Sequence, residues 1–264
     1  MIVARVDGRL RLVRQTDHQV QCGLMARAWG NAGFVRPEPF GALITAADVH
    51  DEGWRTWETR PRVAADGTPV DFPDVDRTEH VVLYRRGIDR ALALDARAGL
   101  VVCMHGRGLY ERRLGLDGEP PPREGRPPHE REFIEEQDAL EGRLVEGLGD
   151  EEATRAWAWA GFRLLQAWDV LSLYLTWRGL ASGGRWTLPA VPRAAGDEGV
   201  ALRAAPGGDL TCTVDPWPFA GDEVALPVVA RHIPDRVYRD GDDLAAALDA
   251  APEETVPFRA RPAG

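Results

Sequence analysis

The sequence predicts a mainly α-helical protein, a helical bundle that carries an N-terminal β-hairpin and a small β-rich C-terminal portion. Apolar residues follow helical spacing over most of the first two thirds of the chain. The stretch from Glu151 to Arg178 is apolar on nearly all sides, which is typical of the central helix of a core. After residue 184, short alternating runs separated by Pro and Gly indicate strands. We therefore divide the chain into a hairpin packed on the core, a helical domain and a β-rich portion, at residues 1–14, 15–182 and 183–264.

Composition narrows the class of protein. The chain has 264 residues, of which 44% are hydrophobic and 28% are charged, as in an ordinary globular protein. It has no run of about 18 apolar residues and no signal-peptide pattern, so we expect no membrane partner, and the cytoplasm is the default location. Three cysteines are too few and too scattered for a disulfide framework. A net charge of −10 argues against a general nucleic-acid partner.

The chain contains arginine but no lysine. Its chemistry therefore includes neither a Schiff-base lysine nor a lysine general base. Any cation that holds an anionic ligand must be a guanidinium, which suits the geometry of phosphate and carboxylate groups.

The first elements place one histidine near the core. An Asp7-Gly8 turn between alternating runs predicts a hairpin over residues 2–13, which we interpret as a structural lid. A capping box that begins at Thr16 predicts a helix to about Trp29. Helical spacing places His18 in the first turn of that helix, on its core-facing side.

A second helix is predicted from about Gly41 to His50, and its apolar spacing turns His50 inward. Asp51 follows directly, so the pair offers an imidazole and a carboxylate at one helix end. The loop at residues 59–77 has a length that usually carries function or covers a site.

Two further histidines, His80 and His105, lie in apolar segments that could turn them inward. A helix from Thr78 to about Leu94 would turn His80 inward, although β-branched and aromatic residues at 81–84 also favour a strand there. An apolar run over residues 99–105 ends in His105.

Asp169 lies in the middle of the apolar central helix. A buried carboxylate costs several kcal/mol unless it is paired, hydrogen-bonded or bound to metal. A partner arginine or Trp indole N–H group and a metal ion are equally good explanations from the sequence alone.

The inward-facing candidates follow the order His…His-Asp…His…His…Asp, at His18, His50, Asp51, His80, His105 and Asp169. This order resembles the HD-domain superfamily of metal-dependent phosphohydrolases, over about residues 15–180. More narrowly, the stretches 47–58, 99–106 and 166–175 look like an uncharacterised bacterial HD-like family of unknown function.

The resemblance implies an HD-like helical bundle that holds one or two divalent transition metals, with Fe, Mn, Zn and Co as candidates. It implies a metal-dependent hydrolase, a phosphohydrolase acting on a small phosphorylated metabolite or nucleotide through an activated water. Asp51, expected to bridge two ions, and Glu52 would be catalytic. The candidate contacts to an anionic small-molecule substrate are Arg55, Arg85 and Arg107.

Several alternatives stay open at this stage. If His80 lies on a strand, the site becomes mononuclear or is lost. The same ligand order is similar to that of HD-type di-iron oxygenases. The chain could also be a non-catalytic HD-like binding module whose histidines serve packing, and a homodimer is an open possibility for its assembly.

Overall fold

The computed structural model describes residues 1–111 and 121–264. In these ranges a seven-stranded, curled sheet packs against a group of helices. The helices are α1 (Gln15–Ala28), α2 (Phe40–Val49), α3 (Arg77–Leu94), α4 (Ala96–Glu111), α5 (Pro128–Gly147), α6 (Glu151–Thr176) and α7 (Gly241–Ala250). The strands are β1 (Ile2–Val6), β2 (Arg9–Val13), β3 (Trp186–Val191), β4 (Val200–Pro206), β5 (Thr211–Asp215), β6 (Val224–Pro234) and β7 (Glu254–Pro262).

The sheet has the order β1-β2-β6-β7-β5-β4-β3. Adjacent strands in the sheet are antiparallel, except for β5 and β7, which are parallel to each other. Strand β6 joins the two ends of the chain. Its residues 224–230 pair with β7, and its residues 231–234 pair with β2.

The prediction of a mainly α-helical bundle with a small C-terminal β portion is wrong. Helices hold 49% of the described residues and strands 21%, and the strands form one large sheet. The hairpin is part of this sheet rather than a separate lid, because β2 pairs with β6. Alternation of apolar and polar residues predicts a strand. It does not predict which distant strand pairs with the N–H and C=O groups along its edge.

The division into three regions stays a prediction, and the sheet draws its strands from the first and the third of them. Among the residues that the structure describes, no helix combines the length and the apolar character needed to cross a membrane.

Helix α6 lies at the centre of the core, as its apolar sequence predicts. It contacts α1, α2, α4, α5 and β3. Arg163 of α6 donates to the carbonyl oxygen of Asp197 at 2.9 Å and also to those of Ala190 and Glu198. The guanidinium therefore attaches the loop after β3 to the central helix.

Helix α1 lies between α2, α6 and β6, so its polar side chains face both the helices and the sheet. The helical interpretation of the segment around His80 is confirmed, because α3 runs without interruption through residues 81–84. Its N-cap is Asp76, since the Asp76 carboxylate accepts from the N–H of Thr78 at 2.9 Å and of Glu79 at 3.2 Å. The apolar run that ends in His105 lies inside α4.

Candidate metal centre

Four of the predicted metal ligands meet in the core, from α1, the end of α2 and α6: His18, His50, Asp51 and Asp169. Nε2 of His18 lies 2.9 Å from Oδ1 of Asp169 and 3.9 Å from Oδ2 of Asp51. Nε2 of His50 lies 3.6 Å from the same Oδ2. All four residues are buried, the most exposed being Asp169 at 8%. These three separations lie near the distance of about 3.4 Å between tetrahedral ligands of a first-row metal.

His18 is held at both ring nitrogens. Its Nδ1 pairs with Oγ of Ser172 at 2.6 Å, and its Nε2 pairs with Asp169. Burial opposes protonation of the ring, but Cys22 and the hydrogen bond to Asp169 raise the pKa of His18 well above its usual value. The hydrogen bond to Asp169 therefore favours the protonated form of the His18 ring.

Asp169 shows how the apolar helix α6 tolerates a carboxylate. Burial alone would raise the pKa of Asp169, but the hydrogen bond and the charge of His18 hold it well below its usual range. The partner of this carboxylate is a histidine rather than an arginine or an indole N–H group.

Nε2 of His50 is the atom of the cluster that is best placed to donate a lone pair to a metal ion. Its Nδ1 lies 3.0 Å from the carbonyl oxygen of Ala47, which can only accept, so Nδ1 carries the proton. Burial lowers the pKa of His50 to about 4, which leaves the ring neutral and Nε2 unprotonated. Among the described residues, this buried Nε2 has no hydrogen-bond partner. A buried imidazole nitrogen with a free lone pair fits a metal ligand.

Asp51 is fixed by groups on two helices. Its Oδ1 accepts from the Tyr84 hydroxyl at 3.1 Å, and its backbone N–H donates to Oε1 of Gln19 at 3.0 Å. Burial raises the pKa of Asp51 to about 6. Because Tyr84 occupies Oδ1, Oδ2 is the oxygen that faces the two histidines.

A glycine brings the Asp51 turn close to α3. A Cβ at Gly53 would overlap the carbonyl oxygen of Leu83 and lie 2.9 Å from the backbone nitrogen of Gly87. Only a residue without a side chain allows this approach. The contact sets the distance from Asp51 to Tyr84.

Cys22 lies beside the cluster, although the ligands predicted from the sequence include no thiolate. Its Sγ lies 3.8 Å from Nε2 of His18, one helical turn earlier in α1. Ligand atoms of His18, Cys22 and His50 lie within 4.8 Å of one another, so this buried group could hold a metal ion. Burial raises the pKa of the Cys22 thiol. The spacing of four residues after His18 was the available signal in the sequence.

The other two predicted histidines pack beside this cluster, and the charge of His105 acts on Asp51 and Asp169. The ring of His105 packs edge-on against His50, with centroids 5.2 Å apart. His80 lies further out, where its Nδ1 pairs with the Tyr110 hydroxyl at 2.6 Å and its ring packs on Tyr84 with centroids 4.7 Å apart. The arrangement thus brings four predicted ligands together and places His80 in an adjoining aromatic layer.

Glu52 lies beside the cluster, where Nε2 of Gln19 donates to its Oε2 at 3.0 Å. The hydrogen bond from Arg55, whose side chain is 63% exposed, lowers the pKa of Glu52. Arg85 pairs with Glu136 at 2.8 Å. Of the three predicted substrate contacts, Arg55 is therefore the one beside the cluster.

Arg107 is buried and surrounded by carboxylates of α4 and α5. It pairs with Glu141 at 2.7 Å, with Glu111 at 3.5 Å and with Asp138. This environment suits a structural charge network that joins the two helices.

The chain matches one known protein family over most of its length. DUF3891, a family of proteins of unknown function, matches residues 1–235. The chain belongs to this family. No curated protein and no solved structure matches the chain.

The resemblance to the HD-domain superfamily, and to an HD-like bacterial family within it, is wrong. The DUF3891 match covers most of the chain, and the helices pack on a seven-stranded sheet instead of forming a plain helical bundle. The order of histidines and aspartates describes donor types only, and it carries no information on the strands that make up the rest of the fold.

Proposed function

We propose that the buried cluster binds one divalent transition metal ion and that this DUF3891 protein is a metal-dependent hydrolase. The observation that carries the proposal is the convergence of four donors, from His18, His50, Asp51 and Asp169, in a buried part of the core. The unprotonated, unpartnered Nε2 of His50 supports it further, because a buried polar atom without a partner costs free energy unless something binds it.

The donor set also favours particular metals. Imidazole and carboxylate donors suit Zn, Mn, Fe and Co. The thiol of Cys22, 3.8 Å from His18, is a soft donor that shifts the preference from Mn towards Zn, Co and Fe.

The chemistry assigned to the chain follows from its hydrogen bonds. A bound ion supplies Lewis-acid activation of water and of a substrate oxygen. Tyr84 holds Oδ1 of Asp51, so that Oδ2 faces the ion site, and we assign Asp51 the role of holding the ion beside the attacking water. Glu52 positions Asp51 through Gln19, which contacts both residues.

The substrate class in this proposal is a small phosphorylated metabolite or nucleotide. This substrate class is supported by Arg55, whose exposed guanidinium forms an ion pair with Glu52 next to the Asp51 turn. A guanidinium at the edge of a metal site suits a phosphate group.

The first test is the metal content of the purified protein, by elemental analysis. We expect about one equivalent of a transition metal, and its loss in Asp51→Ala and Asp169→Ala. The exposed Asp222 provides a matched control, Asp222→Ala, that keeps the metal. A protein that is metal-free and refuses Zn, Mn, Fe and Co on reloading would refute the metal centre.

The second test is phosphate release from a panel of phosphorylated metabolites and nucleotides by the metal-loaded protein. We expect turnover that disappears in Asp51→Ala, and a raised KM in Arg55→Gln at similar kcat. A metal-loaded protein that hydrolyses no member of the panel would keep the metal centre and remove the phosphohydrolase assignment.

A third measurement asks whether Cys22 is a ligand. A thiolate bound to Co²⁺ gives an intense charge-transfer absorption in the near ultraviolet. We expect this band in the Co²⁺-loaded protein and its loss in Cys22→Ser, with the ion retained by the nitrogen and oxygen donors. Absence of the band would limit the donor set to nitrogen and oxygen.

A further inference from the structure

A chain of buried hydrogen bonds runs from strand β6 to His18. The Gln21 side-chain amide donates to the carbonyl oxygen of Leu226 at 2.6 Å. The Ser172 hydroxyl donates to Oε1 of Gln21 at 2.6 Å, and Oγ of Ser172 lies 2.6 Å from Nδ1 of His18. Gln21 and Ser172 are both 0% exposed, so water does not compete for these bonds.

The direction of each bond in this chain is determined by its first member. The carbonyl oxygen of Leu226 can only accept, so the NH₂ group of Gln21 must face it and Oε1 must face Ser172. Because Ser172 then gives its single proton to Gln21, its oxygen must accept from His18. Nδ1 of His18 therefore carries a proton, and in the neutral ring Nε2 has the lone pair.

The same groups do not serve the helix in the usual way. A serine inside a helix often bonds to the carbonyl oxygen four residues earlier. Thr176, the next hydroxyl along this face, does so and donates to the carbonyl oxygen of Ser172 at 2.7 Å. The Ser172 hydroxyl instead leaves its own helix to reach Gln21 of α1.

We propose that Gln21 and Ser172 are positioning residues that fix the ring of His18 with Nε2 towards the metal ion, and that strand β6 anchors them. This inference rests on the proposed metal centre. Second partners of ligating histidines set the tautomer and the ring orientation, and their loss typically weakens metal affinity by about 10–100-fold. The sheet thus takes part in the metal site although it supplies none of the ligands.

The test compares Zn²⁺ affinity, by competition with a chromophoric chelator, in wild type, Ser172→Ala and Gln21→Met. We expect each substitution to raise Kd by about 10–100-fold. The double variant is expected to lose little more than either single variant, because both residues act through the same ring. The Co²⁺ visible spectrum, which reports ligand geometry, should change in all three.

Thr176→Val is the matched control. It removes a hydroxyl that is equally buried and on the same helix, but that does not lead to His18. We expect a similar loss of stability in the metal-free protein and an unchanged Kd. Circular dichroism of each metal-free variant verifies that the fold is intact.

The outcomes separate the two proposals. Wild-type affinity and spectrum in Ser172→Ala and Gln21→Met would overturn the positioning role while the metal centre stands. Equal weakening in Thr176→Val would also overturn it, since the effect would then come from general destabilisation of α6. A wild-type protein that binds neither Zn²⁺ nor Co²⁺ would overturn both.

Discussion

At the level of single residues, His18 and Asp169 form a buried pair of ionisable side chains. Asp169 lies among apolar neighbours of α6 at 8% exposure, where an unpaired carboxylate would be strongly unfavourable. His18 approaches it to 2.9 Å, and the pKa values of the two groups move in opposite directions, towards an ion pair. Each residue therefore stabilises the charged form of the other.

Asp169→Asn keeps the shape of the side chain and removes its charge. In the metal-free protein, we expect the free energy of unfolding to fall by about 3–5 kcal/mol, because His18 loses its buried counter-charge. Urea denaturation of the chelator-treated protein measures this change. Asp222→Asn, at an exposed position, should leave the free energy of unfolding unchanged. An equal stability of Asp169→Asn and wild type would show that His18 is neutral in the folded protein.

At the level of secondary-structure elements, the close approach of the Asp51 turn to α3 sets the geometry of the site. Gly53 lies against the backbone of Leu83 and Gly87, and this contact leaves no room for a side chain. Tyr84 lies in the same turn of α3 and donates to Asp51. Packing of two backbones therefore determines the position of one proposed ligand.

Gly53→Ala tests this packing. The added methyl group must push the turn away from α3, so we expect a loss of about 1–3 kcal/mol in the free energy of unfolding and a weaker affinity for metal. Gly41→Ala, in the first turn of α2, is the control, since a Cβ there meets no atom within 4 Å. It should leave stability unchanged or raise it slightly. Wild-type values of both quantities in Gly53→Ala would mean that α3 adjusts without cost.

Elements and donors differ in how well the sequence predicts them. Helical spacing correctly turned His18 and His50 inward, because burial of one helix face is a local property of the chain. The hydrogen bonds that link Gln21 to Ser172 and Ser172 to His18 could not be anticipated, since they join residues 151 and 154 positions apart. Cys22 was not among the predicted ligands, although its spacing of four residues from His18 was visible in the sequence.

For the whole molecule, strand pairing decides how the parts depend on each other. Strand β2 from the beginning of the chain pairs with β6 from its last quarter. Arg163 of α6 holds the loop that leads to β4. These pairings could not be predicted from alternation, because two strands far apart in sequence carry no mark of their register.

Truncation tests this dependence. A fragment of residues 1–182 keeps all the helices around the site but loses β6, so β2 is left with an unpaired edge and Gln21 loses its acceptor. We expect the fragment to lack a cooperative unfolding transition and to bind Zn²⁺ at least tenfold more weakly. Calorimetry and chelator competition measure the two effects. A cooperatively folding fragment with full affinity would support the division into independent regions at residue 182.

Burial of all the donor residues also affects how fast a bound ion can exchange. An ion held between α1 and α6 leaves only when the surrounding helices open, so its exchange follows local unfolding rather than diffusion. We expect loss to a chelator over minutes to hours, and retention through dilution and chromatography. The ion found in freshly isolated protein would then report which metal was available in the cell when the chain folded.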